Sequence, residues 1–475
     1  MDKKKPYWKY YAPLLVGVCI CLFPVPAGLA PKAWYYFALF ATAILALILE
    51  PIPPAATGLI AVTLAGALSL VDPKPAGSLR WLLSGFSNGV VWLIFVAYSF
   101  ALGYEKTGLG RRISLFLVKV LGKRTIGLGY AIALADLVIA PFTPSNTARS
   151  GGTIYPIIKN IPPLYKSLPN DPSSRRLGAY IMWTAFAITN VTSSMFITSV
   201  APNLFALELV SKIAKQDFTW TGWAVGFLPV GVLLFILVPY LGYLLYPPEL
   251  KTSADVPTWA ATELAKMGKI TRNEVIMASL VVLALALWIF GGNRFDATTV
   301  ALMVLSGMLL MRIVTWEDVI GNKQAWNILA WFATLVTLAD GLRLVKFLDW
   351  FAVLAAGYMK GLPVLVVLFL FVALFYFLHY MFASTTAHTT ALLPVFLAVA
   401  VTVPDMPIRI ISILFCYTIG IMGTLTPYAT GPAPIYYGSG YIEGRDFWRL
   451  GLIFGIIFIV VLLAVGYPYL KWLYS

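Results

Sequence analysis

The sequence predicts an all-α polytopic membrane protein made of two inverted repeats, each carrying a re-entrant hairpin. Three observations lead there. First, the chain has 475 residues, of which 60% are hydrophobic and only 11% charged, with a mean hydropathy of +0.85; soluble domains carry about a quarter charged residues. Second, apolar runs of spanning length recur and are separated by loops rich in Lys and Arg, the pattern of helices that cross a bilayer. Third, the second half repeats landmarks of the first at one fixed register.

The same composition excludes other classes. An outer-membrane barrel would show short alternating segments. The formal charge of +14 sits in loops between apolar runs, as cytoplasmic loops do, so no nucleic-acid partner is expected. Cys19, Cys21 and Cys416 all fall in apolar runs and read as packing residues, with no metal or disulfide pattern. The start, "MDKKKPYWKYYAPLLVGVCICLF", joins a charged segment to an apolar one without a clear small-residue cleavage site, and reads as a retained first helix.

In chain order, spans are expected near 12–30, 34–50, 56–71 and 89–104. Lys3, Lys4, Lys5 and Lys9 place the N-terminus in the cytoplasm. Four crossings return the chain to the basic, amphipathic "EKTGLGRRISLFLVKVLGKR", suited to the interface. The stretch 125–160 is apolar but interrupted by "PFTPSNTARSGG" (141–152), and it begins and ends on basic sides. It therefore reads as a hairpin, since non-helical backbone at membrane depth survives only inside protein or along a cavity. Segment 178–210 crosses with an interruption at "SVAPN" (199–203), and 221–246 returns. A polar linker, 247–273, divides the chain; spans follow near 274–291, 297–312 and 327–343. A second broken stretch covers 363–403, the helix 407–437 is broken at "TPYATGPAP", and 449–472 closes the chain. The sum is 11 crossings and two hairpins, with the C-terminus outside.

The repeat fixes how these pieces relate. "VVWLIFVAYSFALGYEKTG" from position 90 matches "LAWFATLVTLADGLRLVKF" from 329, and "SNTAR" matches "STTAH"; both alignments share an offset of 239 residues. The crossing count sends the Trp92 helix inward and the Trp331 helix outward, so the repeats are inverted. Inverted repeats with helices interrupted at matching places point to a secondary transporter with its site at the midplane.

The interruptions suit an anion. A break leaves the first N–H groups of the next half-helix unpaired, Ser, Thr and Asn cap them, and the helix N-terminus carries partial positive charge. Two such tips would take a small dianion with a carboxylate at each end. Arg149 lies four residues past Ser145, on the same side of the helix, and its repeat mate is His388. A membrane-buried arginine is costly and usually functional. Direct or near-direct contact with substrate carboxylates is the expected role, Arg binding bidentately; pairing of Arg149 with Asp136, and His388 as a satisfied core histidine, is the structural alternative. Asp340, Arg343 and Lys346 read as ion-pair or interface residues.

At these residues the chain resembles the divalent-anion:sodium symporter family of INDY-type di- and tricarboxylate transporters. "PFTPSNTAR", the inverted repeat, the second Ser-Thr-Thr and the "APN" break carry the resemblance, which covers nearly the whole chain. It implies 11 transmembrane segments and two hairpins, a homodimer, a scaffold that holds the dimer and a transport domain that moves as an elevator. On that pattern residues 1–88 and 274–326 are scaffold helices, 89–246 and 327–448 the two repeats around the linker 247–273, and 449–475 the C-terminal helix. It assigns Ser145, Asn146, Thr147, Ser384, Thr385 and Thr386 to substrate, joined on the reading above by Arg149 and His388. Asn203, Thr430 and Gly431, at the second breaks, rank behind them.

One departure carries meaning. Sodium-coupled members usually hold Ser-Asn-Thr in both halves; here the second reads Ser384-Thr385-Thr386, followed by His388. This is similar to the branch of 2-oxoglutarate/malate and citrate/succinate exchangers. A dianion in a low-dielectric site needs compensating charge, which sodium could supply and carry away, or a fixed arginine could supply permanently. The expectation is a plasma-membrane, sodium-independent exchanger of malate, succinate, fumarate or 2-oxoglutarate, with no cofactor. A sodium-coupled symporter of the same anions stays open, and an intramembrane hydrolase using Ser384 and His388 is the remote rival.

Overall fold

A computed structural model describes residues 6–291, 294–357 and 361–475; the basic residues Lys3, Lys4 and Lys5, on which the expected N-terminal orientation partly rests, lie outside them. Among the described residues the secondary structure is helical, apart from one isolated bridge between Arg124 and Thr252. Among the described residues eight helices are long and apolar enough to cross a membrane, and five shorter apolar helices accompany them. Six of the eight lie on expected crossings, and Thr125–Phe142 and Val364–Met381 are first arms of the two broken stretches. Of the remaining expected crossings, four fall on the shorter helices Trp8–Leu22, Pro54–Ala67, Ala297–Leu310 and Ile408–Thr424, and 178–210 is interrupted after Met195.

The chain divides into two compact units, each assembled from three separate stretches of sequence. The first comprises Met1–Phe95, Leu204–Asp217 and Lys323–Phe415. Its core forms where Pro31–Leu49, Pro54–Ala67 and Lys323–Leu344 pack, around Tyr36, Phe40, Trp81 and Leu338. Tyr36 donates its hydroxyl to the Leu338 carbonyl at 2.8 Å. That approach requires Gly341, where a Cβ would lie 1.9 Å from the Tyr36 hydroxyl. Phe37 stacks on Phe347 with centroids 4.3 Å apart. Asp340 and Arg343 form an ion pair at 2.9 Å, one turn apart on the same helix.

The second unit comprises Val96–Asn203, Phe218–Asn322 and Cys416–Ser475. Its axis is Gly178–Met195, every residue of which is buried; Thr125–Ile139 and Trp220–Leu245 pack against it. Trp183 holds its core end against Phe447 and Phe454. The amphipathic Leu109–Leu121 is present as expected. The linker is more ordered than its polarity suggests, because Asp255–Lys266 forms a helix that packs on Leu109–Leu121. Arg111 pairs with Glu263 at 3.0 Å, and Arg112 grips Glu274 at 2.5 and 3.2 Å. Glu274 also closes a capping box with Thr271. Beside this, Lys106 pairs with Asp318.

Each hairpin has the same plan. A helix, Thr125–Ile139 or Val364–Phe377, ends in a short 3-10 turn, Ala140–Phe142 or Leu378–Met381. A non-helical tip follows, and then a second helical arm. The repeat extends further than its sequence landmarks: the counterpart of Leu109–Leu121 is a helix at Phe347–Gly357, in register with it.

Two expectations follow from the linker contacts. Glu274→Ala removes the Arg112 clamp and half of a capping box, and should lower stability by about 1–3 kcal/mol, read as a fall in the thermal midpoint of purified protein. The hydrogen bond from Lys106 depresses the Asp318 carboxyl, and that from Lys266 depresses Glu263. Both ordinarily titrate at 3.8 and 4.5, so their contribution is complete above those values and disappears as pH falls through the depressed ones. Asp318→Asn should therefore be slightly less stable than the unaltered protein at neutral pH, and the two profiles should converge at acid pH, below the depressed value.

Candidate functional site

The two tips make matching local bonds. In the second unit the Ser145 hydroxyl accepts the Ala148 N–H at 3.2 Å, and the Ser145 carbonyl accepts the Arg149 N–H at 2.9 Å. In the first unit the Ser384 hydroxyl accepts the Ala387 N–H at 3.4 Å, and the Ser384 carbonyl accepts the His388 N–H at 3.1 Å. Before each tip one further bond recurs, Thr143 N–H to Ala140 and Phe382 N–H to His379. Each serine thus caps the arm that follows it. The arms differ in winding: Thr147–Ile154 is π-helical, whereas Thr385–Ala400 is α-helical. π turns leave an extra residue in the helix and recur at functional sites.

Around the first tip the second unit assembles most of the residues singled out from sequence. The Asn146 side-chain amide donates to the Thr430 hydroxyl at 2.9 Å. A Cβ on Gly431 would lie 1.8 Å from the Thr147 hydroxyl, so a side chain there would have to displace Thr147 for the 425–432 break to lie against the tip. Asn203 is fully buried, and its amide donates to the carbonyls of Ser193 and Phe196 at 2.7 and 3.2 Å. The Ala201 N–H reaches the Pro144 carbonyl at 2.9 Å, and the Thr198 hydroxyl the Pro141 carbonyl at 2.5 Å. Asn146, Thr147, Thr430 and Gly431 therefore form one cluster, with Asn203 stitching the neighbouring break. Asn190 Oδ1, Asn203 Oδ1 and Thr424 Oγ1 are among the buried polar atoms of this unit that have no hydrogen-bond partner among the described residues.

Arg149 has no exposed surface. Its Nε faces Asp136 at 3.1 Å. Nη1 donates to the carbonyls of Thr143 and Ser199 at 3.1 and 2.8 Å. Nη2 meets the Thr189 carbonyl and the hydroxyls of Thr189, Thr192 and Ser193 at 3.1–3.3 Å. Thr192 also donates to Asp136. The structure gives the arginine the ion pair with Asp136 that the sequence left as an alternative, and its donors are engaged within this unit. The residues that hold it had a signal: Thr189, Thr192 and Ser193 stand at helical spacing within "TNVTSS" (189–194), a polar patch that follows an apolar run.

In the first unit, Thr386 and His388 are buried and Ser384 and Thr385 half-buried. The His388 ring lies edge-on to Phe375, His379 and Phe382, with centroids 4.4, 5.1 and 5.1 Å away. Neither of its ring nitrogens has a hydrogen-bond partner among the described residues. Position 388 therefore repeats Arg149 in backbone register but not in its surroundings.

Removing one partner of a buried pair costs about 3–5 kcal/mol. Arg149→Ala should accordingly lower the thermal midpoint sharply, and the double variant Asp136→Asn/Arg149→Ala should recover part of the loss because no unpaired charge remains. Additive losses in that cycle would show that the pair is not coupled.

Comparison with known proteins bears on family and fold. Residues 4–475 match the family described as the sodium:sulfate symporter transmembrane region. The citrate/succinate antiporter of Escherichia coli strain K12 is 50% identical, over 98% of each chain. The L-tartrate/succinate antiporter of Shigella sonnei strain Ss046 is 48% identical, again over 98% of each. In fold, the chain is similar to the crystal structure of the Alcanivorax borkumensis YdaH transporter, with a TM-score of 0.58 at 17% identity, covering 88% of this chain and 97% of that one. Repeated capped breaks, apolar helices of spanning length and a family match over almost the entire length lead to one conclusion: the chain belongs to the sodium:sulfate symporter family and is a multi-pass membrane transporter, not an enzyme.

Proposed function

We propose that the chain exchanges small dicarboxylates, such as malate, succinate, fumarate and 2-oxoglutarate, across the bacterial inner membrane without sodium. Each capped tip recognises one carboxylate, through Ser145, Asn146 and Thr147 in one repeat and Ser384, Thr385 and Thr386 in the other. The antiporter relatives support exchange of carboxylates. The family's elevator motion, homodimeric assembly and eleven crossings with two hairpins are part of the same proposal, as is the orientation with the N-terminus inside and the C-terminus outside.

The observation that carries sodium independence is the cage around Arg149. Three backbone carbonyls and three hydroxyls converge on its guanidinium. Carbonyls freed by broken helices are the ligands that bind sodium in coupled carriers. Here a cation fixed to the chain occupies them, balanced by Asp136, and it cannot leave with the substrate. Arg149 then supports the first tip through Thr143 and Ser199, rather than following the anion. An unoccupied tip leaves helix N-terminal N–H groups without partners, which is costly where water is excluded. A carrier that moves readily only when loaded is an exchanger.

A second reading, sodium-coupled symport, is favoured by the family's description and by the unpartnered oxygens of Asn190, Asn203 and Thr424, which are suited to a hard cation. Purified protein in liposomes separates the two. Labelled succinate should enter vesicles loaded with malate, not empty ones, and a sodium gradient should change nothing. Uptake into empty vesicles that requires sodium would overturn the exchanger reading. Gly431→Ala, which presses on Thr147, should reduce exchange strongly, with an overpacking cost of about 1–3 kcal/mol.

A further inference from the structure

Within the first unit, a cavity of about 300 Å³ opens beside the second tip. Its lining includes Ser384 and Ala387 from the tip, Lys9 from the start of Trp8–Leu22, and Glu50 from the end of Pro31–Leu49. The volume is at the low end of the roughly 300–1,000 Å³ typical of small-molecule sites. Lys9 is half-buried, and no described carboxylate lies within 4.0 Å of its ammonium. Glu50 closes its helix in the left-handed conformation, φ 47°, where glycine is the cheaper residue. The lining of this cavity therefore brings a cation and an anion together with a serine of the tip.

We propose that Lys9 and Glu50 determine how many carboxylates the transported anion can carry. Lys9 favours a third carboxylate on an anion held at Ser384, and Glu50 opposes it. This rests on the reading of the Ser384 tip as a substrate site. Two charges of opposite sign beside one site make opposite predictions for the same ratio, which a merely structural role of either residue does not.

The test uses full-length protein in succinate-loaded liposomes, with citrate competing against labelled succinate. Lys9→Gln should raise the inhibitory concentration of citrate relative to that of unlabelled succinate about threefold to tenfold, and Glu50→Gln should lower it by a similar factor, the size expected for one partly solvated charge. Lys9→Arg should restore the original ratio. If the ratio stays fixed in both variants, or moves the same way in both, while Ser384→Ala abolishes exchange, this inference is wrong and the tip reading stands. If Ser384→Ala exchanges as the unaltered protein does, the tip reading fails and takes this inference with it. Should a variant lose turnover, the ratio is read instead from the citrate and succinate concentrations that raise its thermal midpoint in detergent. Opposite shifts in the two variants then support the inference, and a fixed ratio or parallel shifts overturn it.

Discussion

A helix broken inside a membrane exposes backbone carbonyls and amides that water cannot reach, and each must find a partner within the protein. In the second unit that requirement is met largely through Arg149. Its guanidinium takes the carbonyls of Thr143 from the hairpin tip, Ser199 from the break after Met195, and Thr189 from the helix that precedes that break. Asn203, Ser199 and Trp223 take what remains, at Ser193, Phe196 and Ser194. The Ala201 N–H and the Thr198 hydroxyl take Pro144 and Pro141. Two interrupted helices become one rigid piece because each supplies what the other lacks.

Asp136 makes this arrangement electrostatically tolerable. A guanidinium with no carboxylate nearby would carry the desolvation cost of a bare charge. Asp136 supplies the opposite charge from the hairpin's own first arm, and Thr192 donates to the same carboxylate. The result is a fixed cation in a cage of oxygens. The tip it supports faces Thr430 and Gly431 through Asn146 and Thr147, so the tip and the 425–432 break share one bonding network.

The second tip is built on the same backbone plan with different chemistry behind it. Ser384 caps its arm as Ser145 does. The position four residues on is a histidine enclosed by Phe375, His379 and Phe382 rather than an arginine in a cage of carbonyls. The repeat keeps register and caps because backbone geometry demands them. Side chains beyond the cap are free to diverge, so the two tips share backbone bonds but not surroundings.

The sequence by itself determined the class, the 239-residue repeat, both hairpins and the capping serines, because hydropathy, capping and helix-breaking residues act locally. It also marked Thr430, Gly431 and Asn203 as break residues, although not their partners. Tertiary structure decided the rest. Whether Arg149 points to a ligand or to Asp136 depends on where Thr189, Thr192, Ser193 and Ser199 lie, and those residues are 40 to 50 positions away. The ordered linker helix depends on Arg111 and Arg112 meeting Glu263 and Glu274 across more than 150 residues. Local periodicity carries no information about such pairings, since charge and hydrogen-bond satisfaction in a membrane are settled only when the whole chain has packed.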